Sequence, residues 1–217
     1  MNRFLPLFIA ALAASLPVFA QDAQQAKDIF GPCAACHGDS GQGGKRGEYP
    51  RIAGQSAKYM FQQLKNFQSQ ARINLPMYPY TKERDIPDTD MKLVSSWLEQ
   101  VELSTEIPDF KDTDDALTRL TAMDKVMIIS RAVGDIEHGG AVYQKNCAAC
   151  HGKTGKGKGS FPMLVGQYTN YLQRQVDAFL RAERPHDEES AKEGVLYSLL
   201  PQDVQNVLAY LTSIQGK

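Results

Sequence analysis

Apolar residues recur at helical spacing in separated stretches of the first half of this chain and in corresponding stretches of the second. Tyr59, Leu64 and Phe67 share one helical face within 56–71, and Tyr171, Val176 and Phe179 share one within 168–183. Met91, Val94, Trp97 and Leu98 do the same after Pro87-Asp88, as do Val204, Val207, Tyr210 and Leu211 after Pro201-Gln202. Acidic or polar residues follow each proline, where a helix N-terminus favours them. A shorter helical segment opens each half, at 22–31 and 137–146. Loops rich in glycine, 38–54 and 152–166, separate the first segment from the second. The pattern predicts an all-α chain of two similar halves, with Met60 and Met91 in the core of the first.

The halves are a repeat. At an offset of 114, Cys33, Cys36, His37, Gly38, Gly41 and Gly43 fall on Cys147, Cys150, His151, Gly152, Gly155 and Gly157. A two-residue deletion changes the offset to 112, and Pro50, Gly54, Gln55, Tyr59, Gln63, Phe67 and Arg72 then fall on Pro162, Gly166, Gln167, Tyr171, Gln175, Phe179 and Arg184. The expected boundaries are 21–103 and 137–217, joined by 104–136. That linker offers Leu117, Leu120, Met123, Val126 and Met127 at spacings suited to one amphipathic helix, with Asp112 or Thr113 as its N-cap.

All four cysteines lie in two copies of Cys-Ala-Ala-Cys-His-Gly. Cys-x-x-Cys-His is the attachment signature of c-type haem: the two thiols become thioethers on the haem vinyl groups, and the histidine becomes an iron ligand. Cys33, Cys36, Cys147 and Cys150 are therefore candidates for covalent attachment, and His37 and His151 for iron. A structural zinc site wants four ligands, and each motif offers three. Two disulfides leave the histidine after each second cysteine unexplained. The loop glycines are expected to let backbone approach the haem edge; neither loop has the Gly-Lys-Ser/Thr ending of a phosphate cradle.

Residues 1–20 read as a cleaved signal peptide: Arg3, the apolar run Phe4 to Leu16, and Val18-Phe19-Ala20 ahead of a cut at Gln21. The run is short for a membrane anchor and contains Pro6. Export agrees with haem attachment and points to the periplasm. The chain has 24 Lys and Arg against 25 Asp and Glu. That balance gives no basic footprint for nucleic acid, and no later segment predicts a membrane span. A chain of 217 residues allows two small domains, each marginal without a cofactor to fill its core.

With both haem motifs and the repeat in view, the chain resembles a class I c-type cytochrome duplicated in tandem, of the two-haem cytochrome c4 kind. The resemblance covers roughly 22–102 and 137–215. It implies two domains each wrapped around one covalent haem, with the carbonyls of Pro50 and Pro162 accepting the ring N–H of His37 and His151. It also implies that Trp97 and Tyr210 pack the last helix of each domain against the first. Arg72-Ile73-Asn74-Leu75-Pro76-Met77 matches the family's loop ending in Pro-Met, which makes Met77 the sixth ligand of the first haem.

The second half departs from this. Its stretch from Arg184 to Gly194 holds no methionine, and Met163 lies on the other side of the repeat, opposite Arg51. His186 would give a bis-histidine haem, Lys192 an amine-ligated one, and otherwise the site is open or filled from elsewhere, by Met123 or Met127. His138, at the start of the first helix of the repeat, reads as a surface residue.

The resemblance implies an electron carrier without substrate chemistry of its own, exchanging electrons with redox proteins. A quinol-oxidising complex or periplasmic dehydrogenase fits as donor, and a terminal oxidase or reductase as acceptor. The alternative is a haem enzyme or sensor with an open second haem, acting on peroxide or binding a diatomic gas. No distal acid-base constellation is recognisable to support catalysis, so no residue is a catalytic candidate.

Overall fold

The computed structural model describes residues 18–123, 126–127, 129–184, 186 and 194–215. The architecture is all-α, and among the described residues backbone pairing outside helices is limited to isolated bridges. Most of the expected export signal therefore lies outside the described residues.

In the first half, α1 (Val18–His37) carries the haem motif in its last turns. Helix α2 (Ala57–Gln68) starts at Ser56, whose hydroxyl accepts from the Tyr59 N–H, and α3 (Asp88–Glu99) starts after Pro87 with Asp88 and Asp90 in its first turn. Carboxylates there complement the partial positive charge of the helix N-terminus. The three helices enclose Phe30, Met60, Ile86, Met91, Val94 and Leu98. Trp97 of α3 packs on Phe30 of α1, ring centres 5.2 Å apart.

The second half repeats this with one break. Helix α4 (Ala116–Met123) lies in the linker; α5 (Ile136–Asn146) ends before the motif, and α6 (Ala148–His151) then carries it. Helices α7 (Thr169–Leu180), α8 (Gly194–Tyr197) and α9 (Pro201–Ser213) follow. The core is Tyr143, Leu172, Val204, Leu208 and Leu211. Tyr210 of α9 packs on Tyr143 of α5 at 5.5 Å, as Trp97 does on Phe30. His138 is exposed, as expected, and meets Asp203 at 2.8 Å, tying α5 to α9.

The linker differs from expectation. Helix α4 ends at Met123, and its cap is Asp115, which accepts from the Thr118 N–H at 2.7 Å. Val126 instead pairs with Ser104 and the Met127 N–H donates to Ser104 O at 2.7 Å, so the chain leaves the helix to bury Met127 and Ile129 as an extended segment. Leu117 and Leu120 are left exposed.

The two halves meet through equivalent residues. The side-chain amide of Gln55 brackets Met163 of the other half, its Nε2 donating to Met163 O at 3.2 Å and its Oε1 accepting from Met163 N at 2.7 Å. Gln167 brackets Arg51 in the same way, at 2.8 Å and 3.0 Å. These glutamines are buried with both amide functions satisfied, and each such bond contributes about 0.5–1.5 kcal/mol net. A second crossing uses the arginines. Arg72 donates to Gln63 of its own half and to Tyr171 Oη and Gln175 of the other, at 2.7, 3.2 and 2.9 Å. Arg184 mirrors it, donating to Gln175 of its own half and to Tyr59 Oη and Gln63 across the interface. Gly47 belongs here too. With φ at +92°, it faces Asn170 and Tyr168 so closely that an added Cβ would lie 2.1 Å from Asn170 Oδ1. This part of the glycine-rich loop serves the approach of the second half.

Candidate haem-binding sites

Each Cys-x-x-Cys-His motif sits at a helix end. Cys33 and Cys36 project from the last turns of α1 with His37 as its final residue; Cys147 caps α5, and Cys150 and His151 belong to α6. All four thiols are unbridged and partly buried. No group of three or more His, Cys, Asp and Glu among the described residues is arranged to hold a metal ion by itself. Paired thiols beside a buried histidine fit covalent haem.

His37 and His151 are buried, and each places Nδ1 2.9 Å from a proline carbonyl, Pro50 O and Pro162 O respectively. A carbonyl only accepts, so Nδ1 carries the proton and Nε2 keeps its lone pair for a metal. Burial lowers the pKa of both imidazoles against the opposing pull of that hydrogen bond, and at His151 the neighbouring His186 lowers it further. Burial thus favours the neutral form of each ring, the form that a ligand needs. Burial likewise pushes the Cys33 thiol up and the Cys147 thiol up to about 11, with the second cysteine of each motif adding to the rise. A thioether has no proton to lose, so the attached form occupies these positions without an ionisation penalty. Tyr49 and Phe161, equivalent residues of the two halves, place their rings 6.4 and 6.3 Å from His37 and His151.

On the distal side of the first half, Met77 is half-buried at the start of a short turn, Tyr78–Tyr80. Its N–H donates to Asn74 O at 3.1 Å and is also near Asn74 Oδ1 at 3.3 Å, so Asn74 folds the Pro76-Met77 corner. Met163 is buried in the interface under Gln55, remote in role from any distal position. Lys192 lies outside the described residues. His186 is described: its ring lies 6.2 Å from that of His151 and 4.8 Å from that of Phe179, which meets it edge-on at 89°.

In the sequence, Gln55, Gln167, Arg72, Arg184, Tyr59 and Tyr171 stand out only as repeat matches; that they join the halves emerges from the fold. The available signal was polar identity shared by both repeats at matched positions. No carboxylate among the described residues pairs with Arg51, Arg72 or Arg184.

The family model for cytochrome c matches twice, over residues 23–102 and 136–215. A thiosulfate dehydrogenase electron acceptor from Stutzerimonas stutzeri is 32% identical over 96% of this chain and 94% of its own length. A cytochrome c4 from Pseudomonas aeruginosa is 23% identical over 99% of this chain and 100% of its own. Among solved structures, the reduced cytochrome c4 of Pseudomonas stutzeri superposes with a TM-score of 0.65 at 21% identity, covering 89% of this chain and 97% of that one. A thiosulfate dehydrogenase from Marichromatium purpuratum superposes with a TM-score of 0.66 at 22% identity, covering 88% of this chain and 40% of that one. With two tandem matches, two intact attachment motifs and relatives aligned from end to end, the chain belongs to the cytochrome c family, as a dihaem electron-transfer protein of the cytochrome c4 kind carrying two covalent haem c groups.

Proposed function

We propose that this chain is a periplasmic electron carrier accepting electrons from a sulfur-compound dehydrogenase of the thiosulfate-oxidising class and passing them to a respiratory oxidase or reductase. The observation that carries it is the duplicated, buried histidine with its Nδ1 tied to a proline carbonyl, which equips each half to hold one iron in a fixed environment. The donor class comes from the relative named as a thiosulfate dehydrogenase electron acceptor, which is aligned along nearly its whole length. In this scheme residues 21–103 and 137–217 form the two domains and 104–136 the linker. Residues 1–20 direct export; no described helix is long and apolar enough to cross a membrane.

Each haem supplies a reversible one-electron couple, and the chain's residues set its environment. Cys33 and Cys36, or Cys147 and Cys150, hold it; His37 or His151 ligates it; Pro50 or Pro162 fixes the ring and makes it more basic. Met77 supplies a thioether to the first iron, favouring the ferrous state. Ile73 and Leu75, 75% and 77% exposed in the same loop, offer apolar surface for the brief docking that electron transfer needs.

The test is to mix the oxidised holoprotein with a thiosulfate dehydrogenase and thiosulfate and follow haem reduction. Reduction of both haems is expected in the complete mixture and not with thiosulfate alone. Reduction by thiosulfate alone would make the chain an enzyme; no reduction in the complete mixture would remove this class of donor.

A further inference from the structure

We infer that His186 is the sixth ligand of the haem held by Cys147, Cys150 and His151, so that one chain carries two haems of unlike ligation. The inference rests on the proposed function only in requiring that both haems be present.

Geometry is the first support. Two imidazoles bound to opposite sides of one metal, each through a metal–nitrogen bond of about 2 Å, have ring centres roughly 6 Å apart. The rings of His151 and His186 are 6.2 Å apart, inclined at 54°. His151 has committed Nδ1 to Pro162 O, so its remaining nitrogen is the one available to share a metal.

The second support is the set of contacts that brings His186 to this place. Its ring meets the edge of Phe179, in the last turn of α7, at 4.8 Å. Arg184 also packs on Phe179, its guanidinium 4.8 Å from the ring centre. Arg184 is in turn held by Gln175 of its own half and by Tyr59 Oη and Gln63 of the first half, at 2.7 and 3.1 Å for the latter two. The chain is thus clamped two residues before His186. The first half has the same clamp, with Arg72 over Phe67 at 4.7 Å, and its chain then runs on to Met77.

The repeats therefore use one framework with two ligands: a histidine two residues after the arginine in one, a methionine five residues after it in the other. In sequence, His186 thus falls three positions short of the place of Met77, and the residues from Arg72 to Met77 in the first half form no helix. A second imidazole in place of a thioether favours ferric iron, so the second haem has the lower potential. An electron shared between the two haems then resides mainly on the first.

The first measurement uses the wild-type holoprotein, by near-infrared magnetic circular dichroism of the ferric state. One thioether–imidazole haem and one bis-imidazole haem per chain are expected; an amine–imidazole or high-spin second haem would overturn the inference. Because this readout needs no variant, it stands even if substitution harms folding.

The second measurement compares His186→Ala and His186→Met. His186→Ala should turn half the haem high-spin and allow the reduced protein to bind one carbon monoxide per chain, where wild type binds none. His186→Met should restore a low-spin haem with a second thioether signature. Overturning results are a His186→Ala spectrum identical to wild type, or prompt carbon monoxide binding by the wild type. Failure of the dehydrogenase to reduce the protein would count against the proposed donor and leave these spectra unaffected, so the two failures are distinguishable.

Discussion

Replacing Met77 with alanine is expected to lower the potential of one haem by on the order of 100 mV or more, within the roughly 0.8 V span over which axial ligands set haem potentials, and to leave the other near its original value. The side chain stands in a corner built by Asn74 and Pro76, and no other methionine of the first half is in a loop: Met60 and Met91 are buried in the helical core. Without the thioether, His37 remains the only protein ligand in that half. The change should also turn half the haem high-spin and open it to carbon monoxide. Helix packing should be little affected, because Met77 lies outside the core of α1, α2 and α3. A spectroelectrochemical titration of wild type and variant reads the outcome. Equal shifts in both potentials would refute the assignment of Met77 to a single iron.

Gly139→Ala should strongly destabilise the C-terminal half. Gly139 is buried where α5 crosses α9, and a Cβ there would lie 1.9 Å from Asn206 O and 2.3 Å from Asn206 C. The atoms met are backbone of α9, so rotating a side chain gives no relief; the helices must part. Parting them loosens the Tyr143–Tyr210 contact and the core around Val204, Leu208 and Leu211. The first half has Ala26 four residues before Phe30, as Gly139 is four before Tyr143, so its helices accept the methyl that α5 cannot. Overpacking of this kind costs about 3 kcal/mol, at the upper end of the usual range. In a domain of this size that lowers Tm by roughly 12–24 °C. Thermal unfolding of the holoprotein, followed by circular dichroism, checks it. A melting curve matching that of wild type would mean that the α5–α9 crossing is not as close as described.

The helices, the repeat and the haem motifs were legible because each rests on local pattern: apolar spacing, a fixed offset, six consecutive residues. The interface was not. Gln55, Gln167, Arg72 and Arg184 look like ordinary surface polar residues until the halves are brought together, when each finds its partner more than 95 positions away. The linker helix was overextended because Val126 and Met127 continue the apolar spacing of Leu117 and Leu120, whereas long-range pairing with Ser104 decides their conformation. At the second distal site, His186 falls three positions short of the place of Met77 in sequence, yet its ring stands 6.2 Å from that of His151. Distance through space is what a ligand must satisfy, and sequence spacing in a loop does not measure it.

The most direct test of two unlike haems in one electron-transfer chain is a potentiometric titration of the wild-type holoprotein, with haem content measured on the same sample. Two haems per chain are expected, titrating in separate one-electron steps at least about 60 mV apart, a tenfold difference in equilibrium constant. Two haems titrating together at a single potential, or fewer than two haems per chain, would contradict it.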